Sequence, residues 1–142
     1  MVGQIPDRMH ERLESERTHF RSVVNRADLQ QLAEARLREA KVLLDAGEWS
    51  GAFYLCGYAV ECALKACIAR QVKQDDFPDK RLATAVFTHD LVDLRGLAGL
   101  REEIVKLPKD RNVNWLVTKD WRETARYELK SETDARGLYD AM

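Results

Sequence analysis

Little in this chain interrupts a helix. Its 142 residues include only three prolines and seven glycines. There is no low-complexity segment, no repeat and no stretch of alternating apolar and polar residues that would argue for a strand. A chain poor in turn residues and rich in Ala, Leu, Glu, Arg and Lys favours helices. An excess of charge is missing too. With 23 basic and 24 acidic side chains the net charge is −1, and the two signs alternate throughout. That excludes a bulk electrostatic footprint for duplex nucleic acid or an anionic membrane.

Cysteines are few and badly placed for chemistry. Cys56, Cys62 and Cys67 fall on one helical stretch; at 1.5 Å rise the outer two are about 16 Å apart and the nearest pair about 7–9 Å, too far for a disulfide. No Cys-x-x-Cys is present and no histidine lies close in sequence, so neither zinc nor any other metal or cofactor is expected. All three read as small buried core thiols. The opening Met1-Val-Gly-Gln-Ile-Pro-Asp7 lacks the basic and apolar regions of a signal peptide. The apolar run 52–69 approaches the length of a membrane span but contains Glu61 and Lys65, so it reads as a core helix and the protein as cytoplasmic.

What is present is a succession of amphipathic segments, enough for one domain that buries roughly two-thirds of its unfolded surface. Residues 7–24 carry a loose stripe of Met9, Leu13, Phe20 and Val24 in a charged setting. They read as a lead-in helix, so that 1–25 form an N-terminal arm and 26–142 the bundle. Asn25 or Asp28 is placed to cap a second helix, with Leu29, Leu32, Leu37, Ala40 and Leu44 at helical spacing. Gly47 stops it, as a residue able to take positive φ does. The segment from Glu48 to about Lys73 is apolar nearly all the way round, the mark of a helix at the centre of a bundle. Glu61 and Lys65 within it lie four residues apart and face one side. Buried charges need partners, because an unpaired one costs several kcal/mol.

Further on, the polar stretch 74–87 reads as a loop with room for a short helical turn. Thr88 is placed to cap a helix from His89 to about Ala98, with Asp90 and Asp93 at its positive end. A short apolar piece over 100–107 ends at Pro108, and residues 110–119 form another helix with Val113, Trp115, Leu116 and Val117 as its apolar part. Residues 121–127 read as an ordered loop anchored by Trp121 and Tyr127, and Ser131 caps a last helix.

In order along the chain, four elements resemble the HEPN domains (higher eukaryotes and prokaryotes nucleotide-binding). They are the hairpin Leu43-Leu-Asp-Ala-Gly-Glu-Trp-Ser-Gly-Ala-Phe-Tyr54 and the helix Tyr58-Ala-Val-Glu-Cys-Ala-Leu-Lys-Ala66. Thr88-His-Asp-Leu-Val-Asp-Leu94 follows, and then the close Asn114-Trp115 with Trp121-x4-Arg126-Tyr127. The resemblance covers about 27–140. It implies an all-α fold, an up-and-down four- or five-helix bundle.

It also implies a choice of functions. Some relatives are metal-independent ribonucleases with an Arg and a His on one helix as R-x4-6-H, completed across a dimer. Others are non-catalytic companions of small nucleotidyltransferases. Here the nuclease pattern is not intact. The positions where His should follow Arg111 are Leu116, Val117 and Thr118, and Arg81 and His89 stand eight apart. The resemblance therefore implies a homodimeric, non-catalytic binding module for a nucleotide, RNA or protein partner, in a toxin–antitoxin or nucleotidyltransferase-linked system. Its candidate ligand residues are Glu61, Lys65, His89, Asp90, Arg111 and Arg126. Lys65, Arg111 and Arg126 would face phosphate, with Glu61 and Asp90 as orienters and an ion pair expected between Glu61 and Arg126. The alternatives are an endoribonuclease with His89 as acid–base and Arg81 or Arg111 on the phosphate, and a purely structural dimerisation unit.

Overall fold

Two long helices set the architecture. The computed structural model describes residues 24–72, 77 and 79–142; the expected lead-in helix over 7–24 lies, but for Val24, outside them. Helix α1 spans Arg26–Asp45 and α2 spans Trp49–Ala69. Asn25 caps α1 in a full capping box: its side chain accepts from the Asp28 amide, and the Asp28 carboxylate accepts from the Asn25 amide. At the other end Gly47 takes φ +79°, and the Gly47 and Glu48 amides return to the carbonyls of Leu44 and Leu43. This is a Schellman stop, and the tight connection makes α1 and α2 antiparallel neighbours.

The remaining helices are short: α3 (Lys80–Ala85), α4 (Leu91–Leu97), α5 (Arg101–Val105), α6 (Lys109–Thr118) and α7 (Glu132–Asp140), with a 3₁₀ turn over Glu123–Tyr127. No strand occurs among the described residues. The fold is all-α, as the sequence implies. Helix α2 is the rod around which the rest packs, touching α1, α4, α7 and the 3₁₀ turn. It is long and apolar enough to cross a membrane, but half of it is buried inside the bundle. Cys56, Leu64 and Ile68 of α2 join Ala40, Leu91, Leu94, Trp121 and Leu138 in the main core.

Several expectations need correction. Helix α4 starts at Leu91 with Asp90 as its cap, not at His89 with Thr88 as cap; an aspartate that accepts two amides captures the start more firmly than a hydroxyl. The short helical turn expected within 74–87 is formed by residues 80–85, where Asp79 caps it by accepting from the Arg81 amide. On α6, Trp115 packs on the core and Thr118 is buried, while Val113, Leu116 and Val117 are exposed. Tyr127 is 81% exposed and anchors nothing, whereas Trp121 is 2% exposed. Cys67 is exposed, unlike Cys56 and Cys62.

Candidate functional site

Helix α2 presents Tyr54, Tyr58, Glu61 and Lys65 at steps of three and four residues, so they form one face. The Tyr54 and Tyr58 rings stack with centroids 6.2 Å apart and planes 6° from parallel. Below them Glu61 is 3% exposed. Its Oε1 accepts from Lys65 Nζ at 2.8 Å and from His89 Nδ1 at 2.8 Å. Its Oε2 is buried with no hydrogen-bond partner. Both donors converge on that one oxygen, which carries all the hydrogen bonds of the carboxylate.

The chemistry of the pair fixes the imidazole. An ionised carboxylate only accepts, so Nδ1 of His89 must carry the proton. In the neutral ring Nε2 is then bare and acts as acceptor or base. The His89 side chain is 48% exposed, which opens that nitrogen to solvent. His89 reaches Glu61 because it precedes α4 instead of lying on it, and a run of local contacts holds this entry. Thr88 Oγ1 accepts from the Asp90 amide, and Asp90 Oδ1 accepts from the Val92 and Asp93 amides.

Asp90 Oδ2 also pairs with Arg122 Nη2 at 3.0 Å. Arg122 Nη1 donates to the carbonyls of Lys119 and Trp121, so three of the five guanidinium N–H bonds are committed. This strut depends on Trp121, whose ring lies flat on Gly57 of α2: a Cβ built there would fall 2.1 Å from Trp121 Cδ2. Only glycine admits the indole so close to the helix backbone. In this way the middle of α2 positions both ends of the site, Glu61 directly and Asp90 through Trp121 and Arg122.

The neighbouring protic groups are held neutral. Burial, then the proximity of Cys62 and Glu61, pushes the Tyr58 phenol up. Burial and Glu61 push the Cys62 thiol up against the opposing pull of Lys65 and Arg36, and burial pushes Cys56 up to about 12. None of them is a nucleophile at neutral pH. Among the described residues no group of three His, Cys, Asp or Glu side chains is placed to hold a metal ion. Beside the Glu61–Lys65 pair runs a cleft of about 630 Å³ with apolar walls that include Leu29, Leu32, Leu82 and Val86.

The structure thus brings Glu61, Lys65 and His89 together with Asp90 adjacent, and leaves the other candidates elsewhere. Arg111 lines a different groove, with Ala59 and Ala63 of α2. Arg126 lies over the Tyr127 ring, 5.1 Å from its centroid. The Glu61–Arg126 ion pair expected from the sequence is not formed; the partners of the carboxylate are Lys65 and His89, both on Oε1. Arg81 is exposed on α3 and bonds to neither His89 nor Glu61. Neither the bracing role of Arg122 nor the docking role of Gly57 was read from the sequence. Their roles depend on contacts 32 and 64 positions away, with Asp90 and Trp121 respectively, and nothing in local spacing signals them.

A buried acid–base pair on the central rod, presenting a histidine at the entry to the next helix, defines an all-α bundle of a particular kind. The model of the HEPN domain family matches residues 27–137, and the chain belongs to that family. No curated protein and no solved structure matches it.

Proposed function

We propose that the protein is a non-catalytic, homodimeric binding module that takes a phosphate-bearing ligand, a nucleotide or an RNA, in a cytoplasmic toxin–antitoxin or nucleotidyltransferase-linked system. The observation that carries this reading is the company Glu61 keeps. Its partners are Lys65 and His89, and no arginine bonds to either Glu61 or His89 among the described residues. The ribonuclease pattern places an arginine on the phosphorane beside the histidine that shuttles the proton. Within the protomer Arg122 is tied to Asp90 and two carbonyls, and Arg111 stands in another groove. A binding role asks less: Lys65 has two further N–H bonds beyond the one on Glu61, and protonated His89 adds a donor at Nε2.

The endoribonuclease reading retains one observation in its favour. A half-exposed imidazole oriented by a buried carboxylate is the arrangement a general base requires. Both readings are tested by calorimetric titration of the full chain with AMP and ATP, and by incubation with labelled RNA in the presence of chelator. Each is repeated with His89→Ala and Lys65→Ala. Saturable nucleotide binding that both substitutions weaken, with RNA left intact, is the expected result. RNA cleavage that disappears in His89→Ala would replace the binding reading with the enzymatic one.

A further inference from the structure

The cleft beside the Glu61–Lys65 pair leaves apolar surface in water. Among the residues that line it, Val24, Val72 and Phe87 are exposed by 59%, 46% and 78%. An apolar patch of this kind marks a surface that another segment covers. Lys65 is the only cation among the described residues of the lining, and it makes one bond, to Glu61. Two of its N–H bonds are left over. The two carboxylates of the lining are already engaged, Glu61 with Lys65 and His89, and Asp79 with the Arg81 amide. The cleft is thus an apolar trough with one cationic donor to spare. It fits a helix face that is apolar and carries a single anion.

We propose that the occupant is the chain's own N-terminal arm, residues 7–23, seated in the cleft as a helix with Glu16 on Lys65. Pattern supports it first. On a 3.6-residue helix Met9, Leu13, Glu16, Phe20 and Val23 fall within an arc of about 80°, and no other residue of 7–23 does. That face is four apolar side chains and one carboxylate, the complement of the trough. Attachment supports it next. Val24, where the arm joins the described chain, itself lines the cleft. Asn25 then leads into α1 through extended backbone, φ −97° and ψ 176°, as the short connection of two antiparallel helices requires. Register agrees as well. Glu16 stands eight residues before Val24 and Leu32 eight residues after it. An arm that turns back at Val24 therefore brings Glu16 level with Leu32, in the lining that holds Lys65. Met9 to Phe20 spans about 16 Å as a helix, the same as Tyr58 to Ala69 along the α2 side of the cleft. A segment tethered at the edge of its seat has an effective concentration of about a millimolar, which favours it over a free partner of equal chemistry. The inference goes beyond the preceding reading and does not depend on it. With Glu16 on Lys65, the arm competes with any phosphate that takes the same ammonium.

The test is hydrogen–deuterium exchange of the full chain, read by mass spectrometry on peptides covering 7–23, with peptides of α7 reporting that the bundle is intact. In wild type the arm amides are expected to exchange at least about tenfold more slowly than in an unstructured chain. Phe20→Asp on the arm and Phe87→Asp on the cleft, the latter already exposed, should each remove that protection and leave α7 unchanged. Leu116→Asp, an exposed position outside the cleft lining, should leave the arm protected. Glu16→Gln and Lys65→Ala should each cost about threefold in protection, and the pair together no more than either alone. Arm amides that exchange at the unstructured rate in wild type would overturn the proposal. Protection indifferent to Phe87→Asp would place the arm elsewhere and overturn the seat. Protection that rises with protein concentration would give the cleft to the arm of another copy and overturn the intramolecular contact. Additive losses from Glu16→Gln and Lys65→Ala would overturn the ion pair.

Discussion

Gly57→Ala should destabilise the protein although it improves a helix. Gly57 lies well inside α2, Trp49–Ala69, where alanine gains about 1 kcal/mol over glycine in backbone propensity. Against that gain stands Trp121. The added methyl would fall 2.1–2.2 Å from three atoms of the indole, and ordinary contact begins at 3.4 Å, so the ring must move by 1.3 Å or more. A shift of that kind in a packed core costs about 1–3 kcal/mol. Complete ejection would re-expose an aromatic of roughly 150–250 Å², about 4–6 kcal/mol. The indole is 2% exposed and packs into the main core, so it has no free space to retreat into. With the propensity gain of about 1 kcal/mol subtracted, a shifted ring leaves a net loss of up to about 2 kcal/mol and an ejected one about 3–5 kcal/mol, and the Arg122–Asp90 strut should loosen with it.

Urea unfolding followed by far-ultraviolet circular dichroism measures this loss independently of the tryptophan signal. Gly137→Ala is the matched control, because a Cβ at that helical position meets nothing within 4 Å and should stabilise by about 0.5–1 kcal/mol. If Gly57→Ala were as stable as wild type, or if both substitutions moved stability the same way, the account of Trp121 as the piece that docks the site would fail.

Three further outcomes follow from the site and its surroundings. Glu61→Ala strands Lys65 and His89; both are partly hydrated, with side-chain exposures of 21% and 48%, so the loss should be about 1–3 kcal/mol, less than for a fully buried pair. The Nδ1–H signature of His89 in nitrogen NMR should vanish with it, and an unchanged imidazole spectrum would refute the pairing. The Asp134 carboxyl lies below its usual 3.8 because the backbone amide of Ser131, and then its hydroxyl, donate to it. A depressed folded value means that this stabilisation is complete above 3.8 and is lost as pH falls through the lower folded value. The advantage of wild type over Asp134→Asn should thus be present at about pH 6 and shrink in acid; an advantage independent of pH would contradict it. Native alkylation should modify Cys67 well before Cys62 or Cys56, since the latter pair are buried and their thiols are pushed up. Peptide mapping that found Cys56 modified first would overturn that order.

The limits of reading the sequence can be seen at individual residues. Asn25, Gly47 and Ser131 act where local pattern put them, because a cap or a left-handed stop is decided within four residues. The burial of Glu61 followed from the apolar surround of α2. The faces of α6 did not follow: Val113, Leu116 and Val117 are more apolar than Thr118, yet Thr118 is the one buried. Its hydroxyl donates to the Asn114 carbonyl of its own helix, so the burial of a polar group carries little cost. Cys67 and Tyr127 were misjudged for the same reason. Their residue types favour the interior, but the neighbours that would cover them lie elsewhere.

By itself the sequence determined the helical class, the family motifs, the α1–α2 hairpin and the enclosed position of the Glu61–Lys65 pair. These depend on periodicity and on contacts a few residues long. Tertiary structure alone decided that His89 completes the pair, that Arg122 and not Arg126 braces the site, and that Arg111 stands in another groove. Those choices are set by distances across the bundle between residues far apart in the chain, and amino-acid type and spacing do not encode such distances.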